Sequence, residues 1–210
     1  MSASLLTLAT IGLVQLLAVI SPGPSFLVTA RTAVAGSRAE GLQVALGLGA
    51  GTIIWSSAAL FGLSYVFAQF HWVFLAMKIG GALFLLWIAI QIFRHAKDRF
   101  DLDIKAGEAR GRSPLLQGLL IQISNPKVAV FFGSIFIAML PREVPPWMIV
   151  ALIAIVTINE IVWYSLVALF FGAEPVRRGY LRAKSGIDRA VGLFLGAVGL
   201  RLLWHAGDAA

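Results

Sequence analysis

The sequence contains no cysteine and few charged residues. The absence of cysteine excludes disulfides, thiolate zinc sites and iron–sulfur clusters. Charged residues make up 13% of the 210 positions, against about a quarter in an ordinary soluble domain. Hydrophobic residues make up 59%, which is too many for one globular core. This composition predicts a membrane protein, in which helices can be apolar on every side.

Basic residues are also missing from the start of the chain, where Arg31 is the first. A secretory signal peptide begins with a basic region, so we expect the first apolar segment to be retained as a membrane span. The other cations lie in short segments between apolar runs and not on one polar face. The net charge of +7 therefore does not predict nucleic-acid binding.

Six apolar segments reach the roughly 20 residues that a membrane span needs. We predict an all-α integral membrane protein with spans near residues 5–34, 41–66, 73–93, 114–140, 147–172 and 187–204. A polar stretch separates the first three spans from the last three. The predicted organisation is therefore a first three-helix repeat (1–93), a charged cytoplasmic linker (94–113) and a second three-helix repeat (114–210), all in one membrane domain.

The lysines and arginines give an orientation. Thirteen of them follow predicted spans 1, 3 and 5, whereas only Arg142 and Arg201 lie on the other side. The positive-inside rule makes the first side cytoplasmic and places both termini outside. Because each half has an odd number of spans, a duplicated second half would insert upside down. Inverted repeats of this kind build secondary transporters that bind substrate on broken helices at the repeat interface.

Each half begins with a span that contains a proline motif, SPGP at 21–24 and SNPK at 124–127. Proline has no amide hydrogen and clashes with the preceding helical turn, so both spans should be broken. A break presents free amide groups and a positive helix end, which suit a carboxylate. Ordinary proline kinks are the alternative. The candidate substrate residues at the breaks are Pro22, Gly23, Pro24, Asn125, Pro126 and Lys127.

Two charged residues fall deep inside predicted spans. Lys127 and Glu160 are each thirteen residues into antiparallel spans 4 and 5, so an ion pair between them is one expectation. A charge at that depth costs about 2.5–3.5 kcal/mol and needs a partner or a function. We predict that Glu160 carries the coupling proton; a structural ion pair or snorkelling is the alternative. Trp163 and Tyr164 share its helix face and either line a substrate pocket or pack.

The remaining polar candidates are weaker, because amide side chains in spans often only join helices. They are Gln15, Gln43, Thr52, Lys78, Gln122 and Asn159. The sequence has no metal-binding His–Glu motif, no nucleophile–base spacing and no glycine-rich phosphate loop. We therefore expect a protein that is not an enzyme and has no cofactor and no metal.

Three segments carry a resemblance to a known family: ISPGPSFLVTARTAVAGSRAEGLQVALGLGAG, MKIGGALFLLWIAIQIFR and ISNPKVAVFFGSIFIAMLP. The chain resembles the lysine exporter (LysE/RhtB) superfamily, whose two motifs match SPGP and NPK here. The resemblance implies a six-span carrier of the bacterial inner membrane that exports amino acids or related metabolites with the proton gradient. Lys78 matches a basic position common in the family. Thr52 stands where many relatives have an acidic residue.

Together these observations predict a secondary exporter that works by alternating access around its two broken helices. Its expected partners are a small-molecule substrate, protons and membrane lipid, without nucleic acid; a homo-oligomer is left open. A channel or a non-transporting helix bundle is the rival interpretation. Accumulation of substrate against a gradient separates a carrier from a channel.

Overall fold

The computed structural model describes residues 2–69, 71–97, 113–140 and 144–207, and these residues contain helices but no strand. The eight α-helices of this described part are α1 (Ser2–Ile20), α2 (Pro24–Ala35), α3 (Arg38–Gln69), α4 (His71–Arg94), α5 (Pro114–Ser124), α6 (Pro126–Met139), α7 (Pro146–Phe170) and α8 (Glu174–Gly207). A single 3₁₀ turn, His95–Lys97, follows α4. Most of the predicted linker lies outside the described residues.

The first predicted helix break is confirmed. Helix α1 ends at Ile20, and α2 starts at Pro24 with its axis bent by 55° from that of α1. Proline suits the first turn of a helix, because its missing amide hydrogen would have no helical partner there. Pro22 and Pro24 therefore end one helix and start the next within four residues.

The second predicted break is confirmed at Asn125. This residue has extended backbone angles (φ −77°, ψ 108°), and its side-chain oxygen accepts a hydrogen bond from the Lys127 amide at 3.0 Å. It therefore ends α5 and caps the start of α6. Pro126 occupies the first turn of α6. The axes of the two helices differ by 60°.

The described helices match the six predicted spans unequally. Arg38–Gly62 within α3 and Pro146–Phe170 are each long and apolar enough to cross a membrane, and each bent pair counts as one more candidate. In α4 the searched apolar part is the shorter Ile79–Arg94. Helix α8 begins at Glu174, well before the predicted span start at residue 187, because its first half is a polar helix. Spans 3 and 6 therefore stay predictions.

Helix packing joins the two halves of the chain. Helix α3 packs against α2, α5 and α7, α4 packs against α6 and α8, and α1 packs against α7. Backbones meet where α3 crosses α5: a Cβ atom on Gly47 would meet the carbonyl oxygen of Leu115, and one on Gly118 would meet that of Val44. Only glycine allows this approach at the two positions.

The order of elements repeats along the chain. A broken pair is followed by two long helices in the first half (α1–α2, α3, α4) and again in the second (α5–α6, α7, α8). The first helix of each broken pair packs on the long helix of the other half, α1 on α7 and α5 on α3. Side chains beside the two breaks therefore face one shared region.

Candidate functional site

Glu160 lies at the centre of this shared region. Its residue exposure is 3%, although it sits in the middle of the apolar helix α7. Oε1 accepts a hydrogen bond from Gln122 Nε2 at 2.7 Å, and Oε2 accepts one from Gln15 Nε2 at 3.1 Å. Gln15 belongs to α1 and Gln122 to α5, so one carboxylate joins the two broken pairs.

A network of polar side chains holds these two amides. Asn159 Nδ2 donates to Gln15 Oε1 at 2.9 Å. Gln122 Nε2 also donates to Thr52 Oγ1 at 2.8 Å, and Gln122 Oε1 accepts from Ser25 Oγ at 2.9 Å. Because each amide group is fixed by further partners, both point a donor at the carboxylate. The network extends to the second break, where Asn125 Nδ2 donates to Ser25 Oγ at 3.2 Å.

The first break leaves two carbonyl groups without their helical partners. Pro22 and Pro24 have no amide hydrogen to donate to the carbonyl groups four residues earlier, those of Ala18 and Ile20. Lys127 Nζ donates to the Ala18 oxygen at 3.0 Å. A residue of the second break therefore satisfies a carbonyl that the first break exposes.

The other freed carbonyl is satisfied from α8. The Tyr180 hydroxyl donates to the Ile20 oxygen at 2.9 Å. Lys127 Nζ makes a second contact, to the Ser21 oxygen at 3.2 Å. Buried carbonyl groups without partners cost about 1–3 kcal/mol each, so these bonds stabilise the open backbone of the first break.

A cavity lies between the two breaks. It holds about 410 Å³ of space free of protein atoms, including open solvent at its mouth. Its polar lining residues are Gln15, Ser21, Ser25, Gln122, Asn125, Lys127, Glu160 and Tyr164; its other lining residues are Ala18, Val19, Gly23, Val128, Phe131 and Phe132. One cation and one carboxylate therefore face the same cavity.

Lys127 and Glu160 line this cavity without forming the expected ion pair. In the described part of the chain the salt bridges are Lys184–Asp188 and Arg178–Glu174. Lys127 instead bonds to backbone carbonyls, and Glu160 bonds to amides. The two side chains are thus held separately, and both line the cavity. No cluster of three or more metal-binding side chains occurs among the residues that the structure describes.

The structure brings most of the sequence candidates together. Those in the network or the cavity wall are Gln15, Gly23, Thr52, Gln122, Asn125, Lys127, Asn159, Glu160 and Tyr164. Pro22 and Pro24 flank the cavity residue Gly23 at the break. The side chains of Lys78 and Pro126 lie outside the description.

Two candidates lie elsewhere. Gln43 is exposed on α3 and takes no part in the network. Trp163 is not in the cavity wall; its ring lies 6.4 Å from that of Tyr180. Its role in a substrate pocket stays a prediction.

Sequence reasoning missed several participants. Ser25, directly after the second proline, joins both breaks. Tyr180 and Lys184 lie in the cation-rich segment between predicted spans 5 and 6, and Asp188 lies at the start of predicted span 6. Their four-residue spacing, which places them on one helix face, was the available signal.

Comparison with known proteins agrees with this architecture. The chain is similar to the threonine efflux protein of Salmonella typhi, with 32% identity over 92% of this chain and 96% of that protein. It is similar to the threonine efflux protein of Escherichia coli K12, with 31% identity over 95% and 98% of the two chains. The uncharacterized membrane protein YahN of Escherichia coli K12 is 29% identical over 88% and 83%.

No solved structure matches the chain. The model of one protein family, described as LysE type translocator, matches residues 16–206, nearly the whole sequence. Two motif-bearing breaks, full-length similarity to efflux proteins and this match agree: the chain belongs to the LysE type translocator family of transporters.

Proposed function

We propose that the protein exports amino acids or related small metabolites from the cytoplasm in exchange for protons, by alternating access. The names of its relatives support an amino-acid substrate, since two of the similar proteins are threonine efflux proteins. Threonine is therefore the first substrate to test.

The observation that carries proton coupling is the environment of Glu160. Its two oxygens accept hydrogen bonds from Gln15 on α1 and Gln122 on α5. Protonation turns one of these oxygens into a hydroxyl group, which donates a hydrogen bond and is a weaker acceptor than a carboxylate oxygen. Binding of a proton therefore weakens the hydrogen bond to one of the two broken pairs, which links the proton to the contacts between the halves.

The cavity offers a place for the substrate carboxylate. The Lys127 ammonium has three donors, two of which bond to the carbonyls of Ala18 and Ser21. The residue before α2 is Gly23, which has no side chain to cap that helix. A cation and an open helix start together suit a carboxylate, and Glu160 faces the same space.

The proposed topology has six spans in two inverted repeats, 1–93 and 114–210, joined by the cytoplasmic linker 94–113. The repeated element order and the packing of each broken pair on the opposite half support it. The cation bias supports an inner-membrane protein with both termini outside. Membrane lipid then surrounds the exposed apolar side chains of α3, α4 and α7.

Transport in proteoliposomes with an imposed pH difference tests the proposal. We expect the parent to accumulate threonine only with the pH difference. Glu160→Gln keeps the shape of the side chain but binds no proton, so it should lose accumulation and keep threonine exchange, which needs no net proton release. Glu160→Asp should retain part of the accumulation. Glu174→Gln, at an exposed acid on α8, is the matched control and should behave as the parent.

The outcomes separate the rival functions. Accumulation by Glu160→Gln at the parental level would place the coupling group elsewhere. Threonine flux in the parent that never exceeds equilibration would indicate a channel. No flux of threonine or of any other amino acid would indicate a helix bundle that does not transport.

A further inference from the structure

Three inward-facing side chains of α8 lie beside the first break, and two of them bond to it. They are Tyr180, Lys184 and Asp188, four residues apart on one helix face; we name them the α8 latch. Lys184 Nζ lies 2.9 Å from Asp188 Oδ2, and the two side chains are 9% and 6% exposed. Of the other cations of this segment, Arg178, Arg182 and Arg189 are exposed and Arg177 is half-buried.

The α8 latch contacts two other elements. The Tyr180 hydroxyl bonds to the Ile20 oxygen at 2.9 Å, and Asp188 Oδ1 accepts from Ser21 Oγ at 3.2 Å. Lys184 Nζ lies 3.5 Å from the carbonyl oxygens of His95 and Ala96, in the 3₁₀ turn that follows α4. Three long-range attachments thus meet beside the point where α1 ends.

The position of Ser21 connects the α8 latch to the cavity. Ser21 lines the cavity, so the bond to Asp188 fixes part of its wall. The contacts lie where the end of α4 and the start of α8 meet, both within the cation-rich segments that the charge bias places in the cytoplasm. The α8 latch therefore lies on the cytoplasmic side of the break.

We propose that the α8 latch is the cytoplasmic gate of the transport pathway: it holds the α1 break against α8 and α4 in the present state and releases it when the cavity opens to the cytoplasm. This inference rests on alternating access as proposed above. A buried ion pair adds little net stability, because removing two charges from water offsets most of their attraction. It does select one arrangement of the helices that carry it, which is the property a gate requires.

Accessibility of a cysteine in the cavity wall tests the gate directly. The chain has no cysteine of its own, so Val128→Cys on the cavity-lining face of α6 gives a single reactive site. A membrane-impermeant maleimide is applied to inside-out vesicles and to intact cells. Adding Asp188→Asn should raise labelling in inside-out vesicles about tenfold, the effect of losing one charge-assisted hydrogen bond. Labelling of intact cells should not rise.

Two further variants make the result specific. Tyr180→Phe removes only the hydroxyl that bonds to Ile20 and should shift labelling in the same direction, which keeps the test valid if Asp188→Asn fails to insert. Glu174→Gln with Arg178→Gln removes the exposed ion pair of the same helix and the same spacing. This control should leave labelling unchanged.

Parental labelling in both Asp188→Asn and Tyr180→Phe would overturn the gate, as would an equal rise from both sides of the membrane. Its failure is distinguishable from failure of the proposed function, because labelling needs no transport. If the parent accumulates threonine but the variants are labelled to the parental level, the proposed function stands and the gate is wrong. If the parent accumulates no amino acid, the proposed function is wrong whatever the labelling shows.

Discussion

At Gly23 the small size of glycine matters for the space in the cavity and not for the backbone conformation. Its angles (φ −155°, ψ −168°) are extended and open to any residue, so the break does not need glycine for its conformation. A Cβ atom there would lie 3.8 Å from Lys127 Nζ, an ordinary contact. A longer side chain would instead enter the space between Lys127 and the open start of α2.

The effect of a substitution at Gly23 on export should therefore depend on the size of the new side chain. We expect Gly23→Ala to export threonine close to the parental rate, because its methyl group fits. Gly23→Leu should insert normally but lose about tenfold or more of its export rate, since misplacing a bound substrate is costly. Export rates are compared at equal amounts of protein in the membrane. Parental export by Gly23→Leu would remove the break from the substrate site.

At the scale of the residue, the sequence indicates which side chains come near each other but not which way they point. Thirteen-residue offsets in antiparallel spans predict a similar depth for Lys127 and Glu160, and both line one cavity. They do not pair, because depth says nothing about which way a side chain points around its helix. Lys127 points at the carbonyls of the first break, which depend on the bend of α1 and were invisible in the sequence.

At the scale of elements, the sequence predicted the features that depend on local chemistry but not those that depend on packing between distant segments. Proline fixes a break by its own geometry, so both breaks followed from the sequence. The polar start of α8 looked like a loop, because before the predicted span it has only Tyr180 and Lys184 on its inward face, among several exposed cations. Gln43 had the same residue type as Gln15 and Gln122 but faces outward, a distinction that only the helix rotation decides.

The crossing of α3 and α5 gives a prediction at this scale. Gly47→Ala should lower the free energy of unfolding by about 1–3 kcal/mol, the usual cost of overpacking, because its methyl group would meet the Leu115 carbonyl. Gly62→Ala on the same helix is the control: it has open space and removes a helical glycine, so it should be neutral or stabilising. Thermal unfolding in detergent measures both. Equal changes in the free energy of unfolding for the two variants would mean that α3 and α5 approach each other less closely at Gly47.

At the scale of the whole molecule, the two halves are interlocked. The broken pair of each half packs on the long helix of the other, and Glu160 takes one hydrogen bond from each pair. Such an arrangement lets a change at one carboxyl group reach both halves at once. The sequence predicted the two halves from their matching proline motifs, but the Gln15–Glu160–Gln122 link required the fold.

The proposed inverted arrangement makes a prediction about sides. Single cysteines at Gly179 on the exposed surface of α8 and at Gly107 in the linker, which lies outside the described residues, should react with an impermeant maleimide only in inside-out vesicles. A cysteine at Ser4, near the start of α1, should react in intact cells. The expectation follows because the six predicted spans place thirteen cations on one side and two on the other, a bias that sets orientation during insertion. Reaction of the Gly179 cysteine in intact cells would reverse the topology, and with it the side on which the α8 latch opens. If the cysteines at Ser4 and Gly179 reacted from the same side, the chain would cross the membrane an even number of times between them. That result would exclude the five spans that the inverted repeat requires between these two positions.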